Sequence, residues 1–262
     1  MAQRPHAHQI ERAFTAQAEA FEDPARNQVF TAEARWVFER LPLGPEDVVL
    51  DVAAGTGHAA RQLAATARAA VALDATAAML VRGQAQARAE GRDNVVFMRG
   101  DAADLPFLDA SFDVVVSRFA AHHFERPEAV VAEMARCTRA GGHVALVDLV
   151  ADDDPATAEE QNRLERLRDP SHTRMFAAIE LQALLTEAGL AAIDVATRAL
   201  ERPLRPWLEQ AQTPAQAADE VRVALDAELA GGRATGFRPH GAQDGDIWFT
   251  HTFASAIASK PA

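Results

Sequence analysis

The sequence predicts an α/β protein built on a doubly wound, mostly parallel sheet. Short apolar stretches with strand character alternate with helical patterns through residue 150, which is the order of elements that forms parallel sheets. The first such stretch, residues 48–52, leads through glycines at positions 55 and 57 into an alanine-rich helix. A turn of this kind directs helix N–H groups to the carboxyl edge of the sheet, where open α/β sheets bind their ligands.

The composition indicates a folded protein with a sizeable core. The chain has 262 residues, of which 48% are hydrophobic and 24% are charged, and its formal net charge is −12. That charge argues against nucleic acid or an anionic membrane as a partner. No apolar run approaches the roughly 18 residues of a membrane-spanning helix, and the first residues lack a signal core, so we expect neither membrane insertion nor a leader. The single cysteine, Cys137, fits a cytoplasmic protein, where we expect a buried and inert thiol.

Two helices are predicted ahead of the first strand. Residues 7–22 repeat apolar side chains, including Phe14 and Phe21, at spacings of three and four. We expect this helix to pack on the domain, or alternatively to cover a ligand as a lid. A second helix is predicted over residues 24–40, because the pair Asp23-Pro24 is typical of a cap and a first helical turn.

The remaining elements follow in alternation. After the glycine turn and a helix to about residue 66, strands are predicted at residues 71–74, 94–98, 111–117 and 143–150, with helices at 76–89 and 127–139. Beyond residue 150, helices are predicted at 155–168, 178–188 and 214–230, and strands at 193–197 and 245–253. The last two strands are expected to add an antiparallel edge. Three acids at 152–154, followed by Pro155, are interpreted as a helix cap and not as a metal site.

Acidic residues mark the ends of the first strands. Asp51 lies four residues before Gly55. A carboxylate there would not help a loop that binds only phosphate, whereas it would attract a ligand that carries an ammonium or sulfonium group. The alternative role for Asp51 is to cap the following helix. Asp74 ends the second strand, where a carboxylate can accept hydrogen bonds from ribose hydroxyls. Asp101 follows the third strand and is placed to meet an adenine amino group, with a surface turn as the alternative.

Three histidines are the candidates for proton transfer. His122 and His123 follow the fourth strand, and His172 lies in a proline-containing loop that could reach the same pocket from the other side. Imidazole suits this role because its ordinary pKa lies near neutrality. The alternative is structural, with an imidazole that bonds a backbone carbonyl and braces the loop. The spacing of His, Asp and Cys residues along the chain indicates no metal site.

With these motifs the chain resembles the class I S-adenosylmethionine-dependent methyltransferases, and within them the ubiquinone/menaquinone C-methyltransferase-like group of bacteria. The Asp-x-Ala-x-Gly-x-Gly pattern of residues 51–57 is the first motif of that class. The resemblance extends over nearly the whole chain and is carried by residues 48–60, 100–107, 111–124, 141–148 and 168–172. It implies a Rossmann-like sheet of about seven strands and S-adenosylmethionine as the methyl donor.

Residue by residue, the resemblance implies the contacts of this cofactor. The implied positions are Asp51, Ala53, Gly55 and Gly57 around its methionine part, Asp74, Ala75 and Met79 at the ribose and the helix that follows, Asp101 and Ala102 at the adenine, Arg118 near the transferable methyl, and Phe14 and Gln17 in a covering N-terminal segment. The sequence departs from the pattern at Phe21, where such sequences often carry tyrosine, and at Ala140, which replaces a usual proline.

The predicted function is therefore methyl transfer from S-adenosylmethionine to a small-molecule acceptor at oxygen, nitrogen or activated carbon. An aromatic or quinone-like acceptor is suggested by the resemblance alone. His123 is the first candidate base, followed by His122 and His172. Three alternatives remain open: a protein that only senses this nucleoside, a nicotinamide-dependent oxidoreductase on a similar sheet, and a reaction that uses the charge of the cofactor without consuming its methyl group.

We expect one domain over residues 1–262. Within it, residues 1–45 would form a helical lid, residues 46–150 the cofactor-binding core, and residues 151–262 a cap on the acceptor side with the last strands. No metal is expected, and the sequence predicts nothing about the oligomeric state.

Overall fold

The computed structural model describes residues 5–19, 21–23, 34–241 and 245–262. The strands in these ranges are β1 (Val48–Val52), β2 (Ala69–Asp74), β3 (Val95–Arg99), β4 (Phe112–Arg118), β5 (Thr138–Val150), β6 (Ala191–Pro203), β7 (His240–Gly241) and β8 (Ile247–Ser259). They form one sheet in the order β3-β2-β1-β4-β5-β8-β6, with β7 paired to β8. The first five strands pair in parallel, and β8 runs antiparallel between β5 and β6. The predicted fold class is confirmed, including the antiparallel edge.

Helices cover the sheet and extend beyond its last strands. The described helices are α1 (Pro5–Gln17), α2 (Ala34–Phe38), α3 (His58–Leu63), α4 (Ala77–Ala89), α5 (Pro127–Cys137), α6 (Pro155–Arg168), α7 (Ala178–Glu187), α8 (Leu204–Gln210) and α9 (Ala215–Leu229), and a short 3₁₀ turn spans Ala121–His123. Residues 24–33 of the predicted second helix lie outside the described residues, and α2 is its described end. The helix predicted over residues 7–22 ends at Gln17, so that Phe21 lies in a turn.

The pattern of apolar residues along β1 shows why the sheet has helices on both faces. Leu50 and Val52 pack with residues of α5 and α7 on one face. Val49 packs on the other face, with residues of α3. All three side chains are completely buried. A strand that is buried on both faces requires a continuous apolar run, which is what residues 48–52 show.

The turn between β1 and α3 depends on glycine for packing as much as for ligand approach. Gly55 and Gly57 both have positive φ, at 56° and 69°. A Cβ atom on Gly57 would lie 2.7 Å from Phe97 Cε1, so this glycine allows the turn to pack closely on the sheet. The sequence prediction overlooked Gly83 of α4, where a Cβ atom would lie 2.2 Å from the carbonyl oxygen of Thr56. Two glycines from different elements thus leave the room that the turn needs to pack closely on the sheet and on α4.

The region after residue 150 has a core of its own. Trp207, Phe237 and Phe249 pack together with apolar residues of α6, α8 and α9. Helix α8 was not predicted, because Pro203 and Pro206 suggested an irregular segment. The structure accommodates both prolines, since Pro203 is the N-cap and Pro206 lies in the first helical turn, where no intrahelical N–H bond is lost. None of the helices in the described ranges has the length and apolar character needed to cross a bilayer.

Two minor sequence predictions are confirmed in the described structure. The carboxylate of Asp154 accepts the backbone N–H of Thr157 at 2.8 Å, so the acidic segment before Pro155 caps α6. Cys137 is a free and fully buried thiol, and burial raises its pKa, which keeps it in the unreactive protonated form.

Candidate functional site

Two cavities lie at the carboxyl edge of the parallel strands. The larger cavity, about 400 Å³, is bounded by the segments that follow β1, β2, β3 and β4 and by one side of α1. The smaller cavity, about 70 Å³, lies between α1, the 3₁₀ turn, the end of α6 and α8. The two share Phe14, Phe21, Phe119 and His123 in their walls. A ligand in the larger cavity would therefore be adjacent to a second compound in the smaller one.

Asp74 is the carboxylate in the wall of the larger cavity that the backbone positions most firmly. Its Oδ2 accepts the N–H of Gly55 at 2.7 Å, and its Oδ1 accepts the N–H of Thr76, also at 2.7 Å. Burial raises the pKa of this carboxyl, although these two backbone hydrogen bonds oppose the rise. Each oxygen retains a second lone pair, which can accept a hydrogen bond from a hydroxyl group of a ligand.

The far end of the larger cavity has a more exposed acid. Asp101 and Ala102 line the cavity after β3, and Asp101 is exposed. Its Oδ1 accepts the backbone N–H of Ala103 at 2.9 Å, as in a short side-chain turn. The predicted cavity position of Asp101 and its alternative role in a surface turn are thus compatible.

Arg118 contributes a buried positive charge where β4 ends. Its side chain lines the larger cavity, its Nη2 lies 3.2 Å from His58 Nδ1, and its guanidinium is 4.7 Å from the ring centre of Phe119. Burial lowers the pKa of Arg118 to about 10, which still leaves it protonated at neutral pH. Ala53 and Gly55 line the same part of the cavity, and Ala53 has a φ of 55°, which is rare for a residue with a Cβ.

Three predicted contact residues lie outside both cavity walls in the described structure. Gly57 faces the sheet, and Met79 is completely buried in the core. Asp51 is 1% exposed, and its Oδ2 accepts the N–H of Ala60 in the first turn of α3 at 2.9 Å. The alternative that we gave for Asp51, a cap of the following helix, is therefore what the structure shows.

The burial of Asp51 predicts how stability depends on pH. Burial raises the pKa of Asp51 from 3.8 to about 7. Between these two values the folded chain binds a proton at Asp51 that the unfolded chain releases, so the contribution of this carboxyl to the free energy of unfolding falls as pH rises, against the buried histidines with lowered pKa values, whose contribution rises. A pKa about 3 above the ordinary value corresponds to about 4 kcal/mol. Asp51→Asn keeps an acceptor for Ala60 but cannot ionise, so we expect its free energy of unfolding, measured in urea, to rise relative to that of the unmodified chain between pH 4 and pH 8.

Asp153→Asn, a change at an exposed acid, serves as the matched control for that experiment. The control should keep the pH slope of the unmodified chain. An unchanged slope in Asp51→Asn would contradict the assignment of the slope to this carboxyl.

The histidines predicted as catalytic candidates come together at the smaller cavity. The ring centres of His122, His123 and His172 lie 4.2, 4.3 and 4.7 Å apart. All three line the smaller cavity and are buried. One nitrogen from each ring lies within 4.8 Å of the others, so the fold creates a potential metal-ligand set that the spacing along the chain did not indicate.

His122 is held by a buried carboxylate. Its Nδ1–H donates to Asp148 Oδ1 at 2.5 Å, and its backbone N–H donates to Asp148 Oδ2 at 3.0 Å. Burial alone would lower the pKa of His122, but the charge of Asp148 and its hydrogen bond outweigh burial and raise the pKa. Of the three imidazoles, His122 is thus the one whose pKa is raised.

The pKa of His123 is shifted in the opposite direction. Its Nδ1 lies 2.9 Å from the carbonyl oxygen of Ser171, and a carbonyl only accepts, so Nδ1 carries the proton and Nε2 keeps its lone pair. Burial and the nearby charge of His122 lower the pKa of His123 to about 4. The ring of Phe14 contacts it edge to face at 5.0 Å. His123 is thus a neutral imidazole in the wall shared by both cavities.

His172 completes the group from the loop after α6. Burial lowers its pKa well below 6.5, and the charges of His122 and His123 act in the same direction. Within the described residues its Nδ1 has no hydrogen-bond partner, and it lies 3.8 Å from Glu165 Oε2. His172 is therefore neutral, with an acid beside it.

Helix α1 covers the junction of the two cavities. His6 Nε2 contacts the carbonyl oxygen of His123 at 3.0 Å, and Gln9 Nε2 donates to the carbonyl oxygen of Pro170 at 2.6 Å. Phe14 lines both cavities, while Gln17 is buried and lines the smaller one. The predicted N-terminal pair thus lies beside the imidazole group.

Several residues in the wall of the smaller cavity or directly behind it were not predicted. Asp148 could have been identified from its position near the carboxyl end of β5, since ligand-binding residues concentrate there. Glu165, Arg168 and Arg202 had no such signal. All three are far from the glycine turn in sequence. Glu165 and Arg168 are neighbours on α6, and packing brings Arg202 of β6 to them.

Comparison with known proteins agrees with this geometry. Residues 50–146 match the family model described as a methyltransferase domain. The uncharacterized methyltransferase YcgJ of Bacillus subtilis is 37% identical over 181 residues, which span 69% of this chain and 72% of that protein. The crystal structure of YcgJ superposes with a TM-score of 0.81 at 32% identity and covers 88% of this chain and 99% of its own.

A further relative carries a defined activity in its name. The demethylmenaquinone methyltransferase of Renibacterium salmoninarum is 37% identical over 114 residues, but this match spans only 44% of this chain and 46% of that enzyme. The longer matches to YcgJ already show the family on their own. The chain belongs to the class I S-adenosylmethionine-dependent methyltransferases.

Proposed function

We propose that this methyltransferase uses S-adenosylmethionine bound in the larger cavity to methylate a small molecule bound in the smaller one. The observation that carries the proposal is the shared wall of the two cavities. There the lone pair of a neutral imidazole, His123, lies where the two compounds would meet.

The residues of the larger cavity fit the chemical groups of S-adenosylmethionine. The carboxylate of Asp74 retains lone pairs for two ribose hydroxyls, and the buried cation of Arg118 complements a carboxylate. Apolar side chains such as Val130 suit the adenine ring, with Asp101 available for its amino group. The volume of about 400 Å³ lies in the range of small-molecule sites.

The proposed cofactor contacts divide into direct and supporting residues. Direct contacts are proposed for Phe14, Ala53, Gly55, Asp74, Ala75, Asp101, Ala102 and Arg118, which line the larger cavity. Asp51, Gly57 and Met79 are proposed to support the turn and the helix behind these residues. Gln17 is proposed to act beside the acceptor, because it lines the smaller cavity.

When bound, S-adenosylmethionine supplies a methyl group attached to a positively charged sulfur. The chain binds and orients the reactants and excludes water, and such alignment contributes about 7–11 kcal/mol in favourable cases. Residues 1–45 act as the lid in this proposal, with Phe14 and Ile10 covering the larger cavity. His123 Nε2 accepts the proton that the acceptor loses, while Ser171 holds the ring in the required tautomer.

The smaller cavity suggests an acceptor with a flat apolar part and a polar end. Phe119 and Phe253 form apolar walls, and Gln210, Arg202 and the imidazoles supply polar groups. The aromatic walls match the character of an aromatic or quinone-like acceptor, and the demethylmenaquinone methyltransferase among the relatives supports that class. The cavity of about 70 Å³ would have to widen to admit such a ring. Residues 151–262 supply the acceptor side within a single domain in this proposal.

Calorimetry and isotope transfer test the proposal together. S-adenosylhomocysteine, the demethylated cofactor, is expected to bind the folded chain at one site, while NADH produces no heat. Methyl-labelled S-adenosylmethionine is then expected to label a quinol or phenol. The absence of binding heat with folded protein would overturn the proposal, whereas binding without transfer to any acceptor tested would favour a sensing role.

A further inference from the structure

Three buried imidazoles lie together at the smaller cavity, although the proposed methyl transfer requires only one proton acceptor. His122, His123 and His172 come from two segments of the chain and offer one nitrogen each within 4.8 Å of the others. None of the three is more than 7% exposed. Neutral imidazole nitrogens in such an arrangement are the ligands that Zn²⁺, Co²⁺ and related divalent ions prefer.

Each imidazole also has an acid behind it. Asp148 accepts the Nδ1–H of His122 directly. Behind His123, the hydroxyl of Ser171 lies 3.2 Å from Nδ1 and donates to Asp169 Oδ1 at 2.6 Å. Glu165 Oε2 lies 3.8 Å from His172 Nδ1.

This pattern is typical of metal-ligating histidines. Such a histidine donates its second ring N–H to a carboxylate, a backbone carbonyl or a water, which orients the ring and makes the ligating nitrogen more basic. In His122 and His123 the Nδ1 atoms are engaged in this way, so their Nε2 atoms remain for a ligand once the proton that Asp148 favours on His122 Nε2 has been released to solvent. The two residues therefore already have the outer contacts of metal ligands.

The acids around the imidazoles outnumber the arginines before a cation arrives. The acids Asp148, Asp169 and Glu165 are all buried beside the imidazoles, and Arg168 and Arg202 line the same cavity. Arg168 lies 3.6 Å from Glu165, and Arg202 Nη2 donates to Gln210 at 3.2 Å. A metal ion in the group would thus lie among three carboxylates and two guanidinium groups, not in a purely apolar cavity.

We propose that His122, His123 and His172 bind one divalent transition-metal ion, with an open position facing the smaller cavity. Three protein ligands and one open position are the arrangement of catalytic metal sites, whereas structural sites have four protein ligands. Ligands of a tetrahedral ion lie about 3.4 Å apart at metal–nitrogen distances of about 2.0–2.1 Å. The rings must therefore turn inward slightly on binding.

The metal uses the same lone pair of His123 that the proposed methyl transfer uses for a proton. The two occupants consequently exclude each other at this nitrogen. A bound ion is expected to slow methyl transfer, and a chelator should restore the rate. Metal binding itself does not depend on methyl transfer, so it can be measured whether or not the proposed acceptor class is correct.

The test is Co²⁺ absorption and Zn²⁺ calorimetry on the full chain, without a histidine tag and after treatment with a chelator. We expect one ion per chain, and visible Co²⁺ absorption with the high intensity of four- or five-coordinate sites. His172→Ala is expected to weaken binding at least 10²-fold. Asp148→Asn, which leaves all three ligands but weakens the support of His122, should weaken it about 10–100-fold.

Two further variants make the result decisive. His172→Gln preserves polarity and size if the alanine variant fails to fold, and melting curves report folding for each variant. His240→Ala, at a half-buried histidine on β7 outside the imidazole group, is the matched control and should bind Co²⁺ as the unmodified chain does. Equal binding by the unmodified chain and the His172 variants would overturn the proposal, as would only the weak absorption of six-coordinate Co²⁺.

Discussion

Replacing His123 with alanine is expected to slow methyl transfer by about 10²-fold, the lower end of the usual contribution of a positioned proton acceptor, because a pKa near 4 makes this imidazole a weak base. The Nδ1–H of His123 donates to the carbonyl oxygen of Ser171, which leaves the Nε2 lone pair at the wall shared by both cavities. Alanine removes that lone pair and leaves the groups proposed for the ribose and the carboxylate in place. Affinity for S-adenosylhomocysteine should therefore change little.

Single-turnover rates on metal-free protein with saturating cofactor measure the effect directly. His240→Ala, distant from both cavities, is the matched control and should keep the full rate. Because the pKa of His123 lies near 4, its lone pair stays free from pH 6 to pH 9, and protonation of this group should lower the rate only in more acidic solution. An unchanged rate in His123→Ala would remove this residue from the mechanism.

Replacing Asp74 with alanine is expected to weaken S-adenosylhomocysteine binding at least 10²-fold. A hydrogen bond to a charged group contributes about 1.5–3 kcal/mol, so two ribose bonds together correspond to about 10²-fold or more in affinity. The change also leaves the N–H groups of Gly55 and Thr76 without their acceptor, which loosens the backbone around the cavity. Both effects act on binding in the same direction.

Calorimetry with Asp74→Asn separates these two effects. Asparagine keeps one acceptor oxygen but points N–H donors at a backbone N–H, so its affinity should lie between those of the alanine variant and the unmodified chain. Asp101→Ala is the comparison at the exposed end of the cavity, where water competes for the ligand and the loss should be about tenfold or less. Full affinity in Asp74→Ala would contradict its proposed role at the ribose.

The fold was largely predictable because its signals are local. The apolar run of residues 48–52, the glycine turn and the alternation of strands and helices all follow from neighbouring residues. The position of Asp74 followed from the same logic, since it ends the strand that pairs beside β1. Helix α8 was missed because prolines suggest a break unless they lie in the first turn, and which residues form that turn depends on packing.

The roles of individual side chains were less predictable. Asp51 has the position of the family motif, yet its carboxylate points to the N–H of Ala60 and not into the cavity. The resemblance placed Gly57 at the methionine part of the cofactor, and in the structure its missing Cβ makes room for Phe97. In both cases the sequence identified a residue that matters to the turn. Whether its side chain, or the lack of one, serves the ligand or the packing was decided by neighbours from other elements.

By itself the sequence determined the layered α/β architecture, the crevice beyond β1 and the resemblance to methyltransferases. These depend on hydrophobic periodicity and on turn residues that act over a few positions. Only the tertiary structure joined His172 to His122 and His123 and put Asp148, Asp169 and Glu165 behind them. The physical reason is that these side chains meet across different elements, so their distances and protonation states depend on strand order, helix packing and exclusion of water.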